Sequence, residues 1–409
     1  MVKKLAVFGY GARGQIYALF ADKYPEKFQL VAVIENNQER IELAQRTHNN
    51  ISVFKDYRDF LVANVEADVV AIATQDGQHK EHALAMMKAG YDLLLEKPIA
   101  NNRADCLEIY NASKQYNRKV VVCHVLRYSP FYSKIKEVIQ SGKIGEIFSI
   151  SASENVGYYH YAHSYVRGPW RSLKESSPMI LAKCCHDMDI LRWLMDVDCL
   201  SVNSYGDLSY FKKENAPNGS AEYCSSCKVE NCVYNAQKLY LSKEGRSFSG
   251  YFLNKEFTDE NILSALKGTR YEKCVYKSDN DVVDHQVTIM QFAGGKTATH
   301  TMSAFSKNVY RDIKIHAALA ELVGKFEDNY IEIRYFDGKI EKISIDTTEA
   351  NVGGHNGSDY FMMNNLYNIL NGQDGAGATL IDVSVESHIM CFSAEESRLN
   401  GGATVFIKK

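Results

Sequence analysis

The chain has 409 residues, a formal net charge of −3 and 45% hydrophobic residues. That length predicts two domains with ordinary globular cores, and the near-balanced charge argues against a nucleic-acid partner or a polybasic membrane anchor. No apolar run reaches the roughly 18 residues a transmembrane helix needs. The first strand pattern begins almost at Met1, leaving no room for a signal peptide. A cytoplasmic protein is expected, whose ten cysteines are thiols or metal ligands rather than disulfides.

The first apolar run, Lys4–Phe8, reads as a buried parallel strand and leads into Gly9-Tyr10-Gly11-Ala12-Arg13-Gly14. An apolar helix face (Ile16, Ala18, Leu19, Phe20) follows, then a second strand, 30–34, ending at the acid Glu35. This is the dinucleotide-binding arrangement. Gly9 permits a tight turn, Gly11 lets the backbone approach a pyrophosphate, and Gly14 lets helix and strand pack closely. Amides at the helix start, Ala12 and Arg13 among them, face the phosphates, and Glu35 accepts from ribose hydroxyls. Glu35 repels a 2′-phosphate and Asn36-Asn37 offers no cation to hold one, so NAD is expected over NADP, with Arg40 a helical turn away as the opposing feature.

Further strands are expected at 68–73, 92–95 and 119–123, with helices at 41–47, 57–63, 79–89 and 103–116 between them. This βα alternation predicts a Rossmann-type doubly wound parallel sheet over residues 1–122. Ligands bind at the carboxyl ends of such strands, which marks Thr74, Gln75 and the segment Glu96-Lys97-Pro98. A helix at 133–142 and a strand at 146–153 follow. Strands at 282–292, 297–303, 311–317, 322–327 and 330–335, with turns at Gly294-Gly295 and Asp328-Asn329, predict an open, mostly antiparallel sheet in an α+β domain over 123–409. Helices at 179–195, 359–371 and 382–399 cover it or return to the first domain.

The chain resembles the glucose–fructose oxidoreductase / inositol dehydrogenase (Gfo/Idh/MocA) family. The resemblance rests on Gly9–Gly14, Ala73-Thr74 followed by His79, Glu96-Lys97-Pro98, Gly142-Lys143-Ile144-Gly145-Glu146, and His186-Asp187-Met188-Asp189-Ile190-Leu191. It implies NAD or NADP chemistry on sugars, cyclitols and their derivatives, often in a homo-oligomeric dimer or tetramer. It also places His79 and Glu96 at the cofactor.

Lys97, at a strand end beside a nicotinamide, can relay a substrate hydroxyl proton. His186 is the natural general acid–base, since imidazole titrates near working pH. Lys183 and Asp189 lie three residues to either side of it, and a plain core histidine bonded to Asp189 is the bland alternative. Many family dehydrogenases carry an aspartate four residues before this histidine. Here that position is Ala182, so either Lys183 substitutes or the proton relay differs.

The aromatic and basic run Gly157–Arg171 reads as a sugar-binding wall or as a packed surface loop, with His160, His163, Arg167 and Trp170 as substrate contacts. Tyr128, just past the domain junction, and His355, in a glycine-rich loop, are further substrate contacts. Cys224, Cys227 and Cys232 have metal-ligand spacing inside an irregular insertion at about 205–275, and Cys274 supplies a fourth thiolate for structural zinc. An iron–sulfur cluster, a redox disulfide and uncommitted thiols are the alternatives. Three functions follow in order: an oxidoreductase moving hydride between NAD(P) and a polyhydroxylated carbohydrate-like substrate; a glycosidase or lyase that oxidises and re-reduces its substrate around an elimination; a nucleotide-binding sensor.

Overall fold

In the computed structural model, which describes residues 1–253, 256–346, 357–373, 375 and 377–407, the apolar runs of the first third form a six-stranded parallel sheet. Its strands are β1 (Lys3–Phe8), β2 (Phe28–Ile34), β3 (Ser52–Phe54), β4 (Val69–Ile72), β5 (Asp92–Leu95) and β6 (Val120–Val122), in the order β3-β2-β1-β4-β5-β6. Helices cover both faces, so Leu5, Ala6, Val7 and all of β4 have no exposed surface, as continuous apolar runs require. The strand order reverses between β1 and β4, which opens a crevice at their carboxyl ends. β3 is three residues long, too short to show a periodicity.

The second sheet has nine strands: β7 (Ile147–Asn155), β8 (Cys199–Asp207), β9 (His285–Phe292), β10 (Thr297–Ser303), β11 (Tyr310–Ala317), β12 (Ala320–Lys325), β13 (Tyr330–Tyr335), β14 (Ile340–Ser344) and β15 (Val405–Phe406). Their order is β14-β13-β12-β11-β7-β10-β9-β8-β15. β7 and β10 pair in parallel, and the remaining pairs are antiparallel. β9 alternates strictly, with Gln286, Thr288, Met290 and Phe292 buried and the residues between them exposed. One face therefore packs on helices and the other is open.

Two features depart from the sequence reading. The helix expected at 179–195 is broken into Met179–Ala182 and Cys185–Met195. The break at Lys183 turns its ammonium to Glu154 on β7, 3.2 Å away. The division after residue 122 also leaves out chain that completes the first domain. Helix Ser358–Leu370 buries Met362, Met363, Leu366 and Ile369 against Leu5, Val7, Tyr17 and Phe20. Helix Ile381–Leu399 buries Ile381, Val385 and Ile389 with Leu93, Leu95 and Ile109. Its Met390, Cys391 and Ala394 belong to the core of the second domain. This helix therefore joins the two domains through apolar burial.

Helix Ala12–Lys23 packs on β1 through Gly14. A Cβ there would overlap the Gly9 carbonyl oxygen and lie 3.0 Å from Val7 Cγ1. Gly14→Ala is expected to cost about 1–3 kcal/mol and to weaken dinucleotide binding. Thermal unfolding and cofactor titration check this; a stable, fully binding variant would contradict the packing argument.

Candidate active site

The cleft at the carboxyl ends of β1, β2, β4 and β5 has a volume of about 680 Å3. Gly9 begins its floor with φ +91°, and a Cβ there would meet the Ala73 carbonyl oxygen at 2.6 Å. Gly11, by contrast, faces open space, with Arg40 Nη1 nearest at 3.7 Å from a built Cβ. It is also the N-cap of helix Ala12–Lys23 and gives no side-chain cap. The first amides of the helix therefore remain available to an anion. This cradle fits a pyrophosphate.

Glu35, buried at the end of β2, is held at the cleft wall by the amides of Tyr10 (2.8 Å), Asn36 and Asn37 (2.9 Å each). Arg40 Nη1 lies 3.7 Å from its Oε2. Thr74 and Gln75 line the cleft. Arg13 also lines it, but its guanidinium donates to Glu96 Oε1 and to Asp359 Oδ1, each at 2.6 Å. Burial opposes ionisation of Glu96, yet the charge of Arg13 and hydrogen bonds from Arg13 and Tyr17 outweigh it and hold the carboxyl below its usual range. Glu96 and Arg13 thus form an ion pair that shapes the cleft.

His79 is fully buried and does not line the cleft. Its Nδ1 lies 2.7 Å from the Pro98 carbonyl and its Nε2 3.2 Å from that of Thr74. It therefore ties the loop after β4 to the loop after β5 instead of touching cofactor. Its neighbour His82 lines the cleft, and burial lowers its pKa to about 4.

On the opposite wall, Lys97 Nζ donates to the carbonyl oxygen of Ala182 at 2.9 Å. His186, in the first turn of helix Cys185–Met195, and Lys183, in the helix break, line the same cleft. Asp189, three residues on, is paired through both oxygens with Arg127 (Nε–Oδ2 2.6 Å, Nη2–Oδ1 2.7 Å). Arg311 from β11 completes this wall. It lies 2.5 Å from Glu154 and donates to Asp187 Oδ1 at 3.0 Å. Lys183, Glu154, Arg311 and Asp187 thus form one charge network beside Lys97. Sequence reasoning missed Arg311 and Glu154, which sit on strands distant in sequence.

The aromatic run sorts into two sides. His160 and Trp170 line the cleft, with Ser164 and Tyr165. His160 stacks on Phe248 at 5.2 Å. Burial, reinforced by the charges of Lys183 and His163, pushes its pKa well below 6.5. His163 and Arg167 are corrected: both are buried away from the cleft. His163 lies between Phe248 (4.5 Å) and Tyr271 (5.1 Å) and bonds the Tyr240 hydroxyl at 2.8 Å. Burial lowers its pKa to about 3. Arg167 donates to the carbonyls of Lys273 and Tyr234, 2.7 Å each. Tyr128 is corrected as well, since its buried hydroxyl bonds Thr379 at 2.9 Å and it does not line the cleft. His355 lies outside the described residues. Phe248 and Tyr251, from the cysteine-rich insertion, form a roof over the cleft that no sequence motif announces.

A family model described as an oxidoreductase family with an NAD-binding Rossmann fold matches residues 3–124. The C-terminal domain model of the same family matches residues 132–230, and together they cover more than half of the chain. The chain belongs to the Gfo/Idh/MocA family. It is an NAD-binding oxidoreductase, and among its described residues no helix is long and apolar enough to cross a membrane.

Among its relatives, YteT of Bacillus subtilis (strain 168) is 24% identical over 383 residues, 87% of each chain. The inositol 2-dehydrogenase of Pseudomonas savastanoi pv. phaseolicola (strain 1448A / Race 6) is 30% identical over 205 residues, 49% of this chain and 57% of its own. The match thus spans little more than half the length of that enzyme. The fold is shared with levoglucosan dehydrogenase in complex with NADH and levoglucosan, at TM-score 0.73 and 17% identity over the whole of both chains. It is also shared with the WlbA dehydrogenase of Bordetella pertussis in complex with NADH and UDP-GlcNAcA, at TM-score 0.70 and 15% identity over 100% of this chain and 98% of that one.

Proposed function

We propose that this chain is an NAD-dependent dehydrogenase of a sugar, a cyclitol or a derivative, with His186 and Lys97 handling the proton. The observation that carries the reading is one cleft holding the Gly9–Gly14 cradle on one wall and Lys97, Lys183 and His186 on the other. A bound nicotinamide supplies the hydride acceptor. Oxidation of a CH–OH carbon beside that acceptor would release the hydroxyl proton to a base. Neutral His186 takes this proton. Lys97, fixed by the Ala182 carbonyl, stabilises the oxygen as it gains negative charge. Trp170 and His160 offer flat faces to the apolar C–H side of a ring, and Lys183 is placed for a hydroxyl or an anionic substituent. Relatives named for inositol and levoglucosan support this substrate class.

Lys97→Ala and His186→Ala are each expected to keep the fold and NAD binding while losing about 10²–10⁴-fold in turnover. In the parent, NADH should accumulate one for one with oxidised product across a panel of sugars, cyclitols and aryl glycosides. Many-turnover release of aglycone without NADH would replace this reading with the oxidation–elimination–reduction route.

Glu35 at the ribose end supports NAD over NADP, since a 2′-phosphate would meet a carboxylate fixed by three amides. Titration with both cofactors should give the tighter constant for NAD, and Glu35→Ala should narrow the difference. Tighter NADP binding by the parent would overturn the preference.

We also infer a homo-oligomer. The open face of the second sheet exposes Tyr205, Val287 and Ile289, which β8–β9 pairing places together. Contiguous apolar surface of this kind marks an association site. Sedimentation should find a dimer or tetramer, and Ile289→Lys should dissociate it; a monomeric parent would refute the inference.

A further inference from the structure

We propose that Cys224, Cys227, Cys232 and Cys274 bind one zinc ion, and that this site fixes the roof of the cleft. The backbone brings the four residues together from two segments. A short turn, Cys224–Ser226, sets Cys224 and Cys227 on either side of a hydrogen bond from the Cys227 amide to the Cys224 carbonyl (3.3 Å). An isolated bridge pairs Tyr223 with Lys273, and the Cys274 amide donates to the Glu222 carbonyl at 2.9 Å. All four side chains then line one cavity of about 10 Å3. That is room for a single atom-sized guest.

Two groups already point at the sulfurs. The Ala236 amide donates to Cys224 Sγ at 3.3 Å, and Arg167 Nη2 lies 3.8 Å from the same sulfur. Arg167 is 1% exposed. Its Nη1 has no hydrogen-bond partner, and the contacts of its other nitrogens are to two carbonyls and the Cys224 sulfur, with no carboxylate among them. A buried guanidinium served only by carbonyls is an uncompensated charge. Four thiolates on a divalent ion carry a net charge of about −2, which supplies the missing counter-charge beside this arginine.

The sulfurs are not drawn to within 4.8 Å of one another as a set; Cys184, Asp187 and His300 are so grouped. That second group makes a poor cation site, because Arg311 already donates to Asp187 and would repel a metal ion. Tetrahedral zinc needs its sulfurs roughly 3.8 Å apart, so loading pulls the turn at Cys224 and the bridge at Cys274 inward. Arg167 carries this tie to the cleft. It closes the helical segment Ala162–Arg167, whose Ser164 and Tyr165 line the cleft with Phe248 and Tyr251 of the insertion. This second part rests on the cleft being the substrate site.

The test begins with metal content, which is independent of activity. Protein purified without chelator should contain one zinc per chain and no iron or acid-labile sulfide. Titration of the native protein with a mercurial should release that zinc as four thiols react. Cobalt replacement should give sulfur-to-cobalt charge-transfer bands and the intense visible bands of a tetrahedral site. Cys274→Ser should lose the metal, while Cys199→Ser keeps it. Metal-free parent protein, a disulfide within the set on peptide mapping, or zinc retained after all four thiols have reacted would overturn the site. If Cys274→Ser does not fold, the mercurial titration of the parent still decides. For the coupling, zinc-stripped protein should bind NAD as tightly as before with a raised substrate KM. An unchanged KM in zinc-free protein would overturn the coupling and leave the site standing.

Discussion

The buried ion cluster of Arg13, Glu96 and Asp359 is the constraint on which the rest of the cleft depends. Its members come from the first helix, the end of β5 and the C-terminal helix Ser358–Leu370. Glu96 and Asp359 are both buried. A carboxylate in that position is strongly destabilising unless its cation stays in place, so the three segments are obliged to dock together. The docking has chemical consequences. Glu96 also accepts from the Lys97 amide at 3.0 Å, and His79 holds the next carbonyl, that of Pro98. The backbone around Lys97 is thereby fixed from both sides before its side chain crosses to the Ala182 carbonyl.

The parts legible in the sequence are those where one local rule decides the structure. The Gly9–Gly14 loop and the buried strands of the first sheet follow from turn sterics and apolar periodicity, and the structure has them; the helix expected at 179–195 is there only in two pieces. The antiparallel sheet was also readable from β9 to β13, where alternation and turn residues agree. β14 was not, although it pairs with its sequence neighbour β13, and neither were β8 and β15, since their pairing depends on partners far along the chain. Arg311 and Glu154 escaped for the same reason. Each reads as an unremarkable charged residue in a strand, and only the pairing of β11 with β7 sets them opposite each other.

The aromatic run was misread because its sides are set by a local backbone that the sequence does not announce. Treated as a loop, its histidines and arginine are equivalent. The structure makes the segment helical from Tyr158 to Arg167, α-helical to Tyr161 and π-helical from Ala162 on. His160 and Ser164 then fall on the cleft side, and His163 and Arg167 on the other. The second pair faces the cysteine-rich insertion, where aromatic stacking and backbone carbonyls take it up.

Ala182 is where this chain departs from the acid–base arrangement common among family dehydrogenases, and the geometry gives the departure a physical meaning. An aspartate there would place a full negative charge near Lys97. The main-chain carbonyl of Ala182 instead holds the ammonium by a dipole, leaving its charge uncompensated on that side. The nearby carboxylates Glu154 and Asp187 are engaged by Lys183 and Arg311. Glu327 also lies 3.9 Å from Arg311, so on this wall Lys183 and Arg311 meet carboxylates, whereas Lys97 is held by a carbonyl dipole. On the dehydrogenase reading proposed above, the Lys97 ammonium would stabilise the oxyanion formed as a substrate hydroxyl gives its proton to His186. On that reading the ammonium of Lys97 offsets the missing carboxylate, and the proton would need no relay through residue 182.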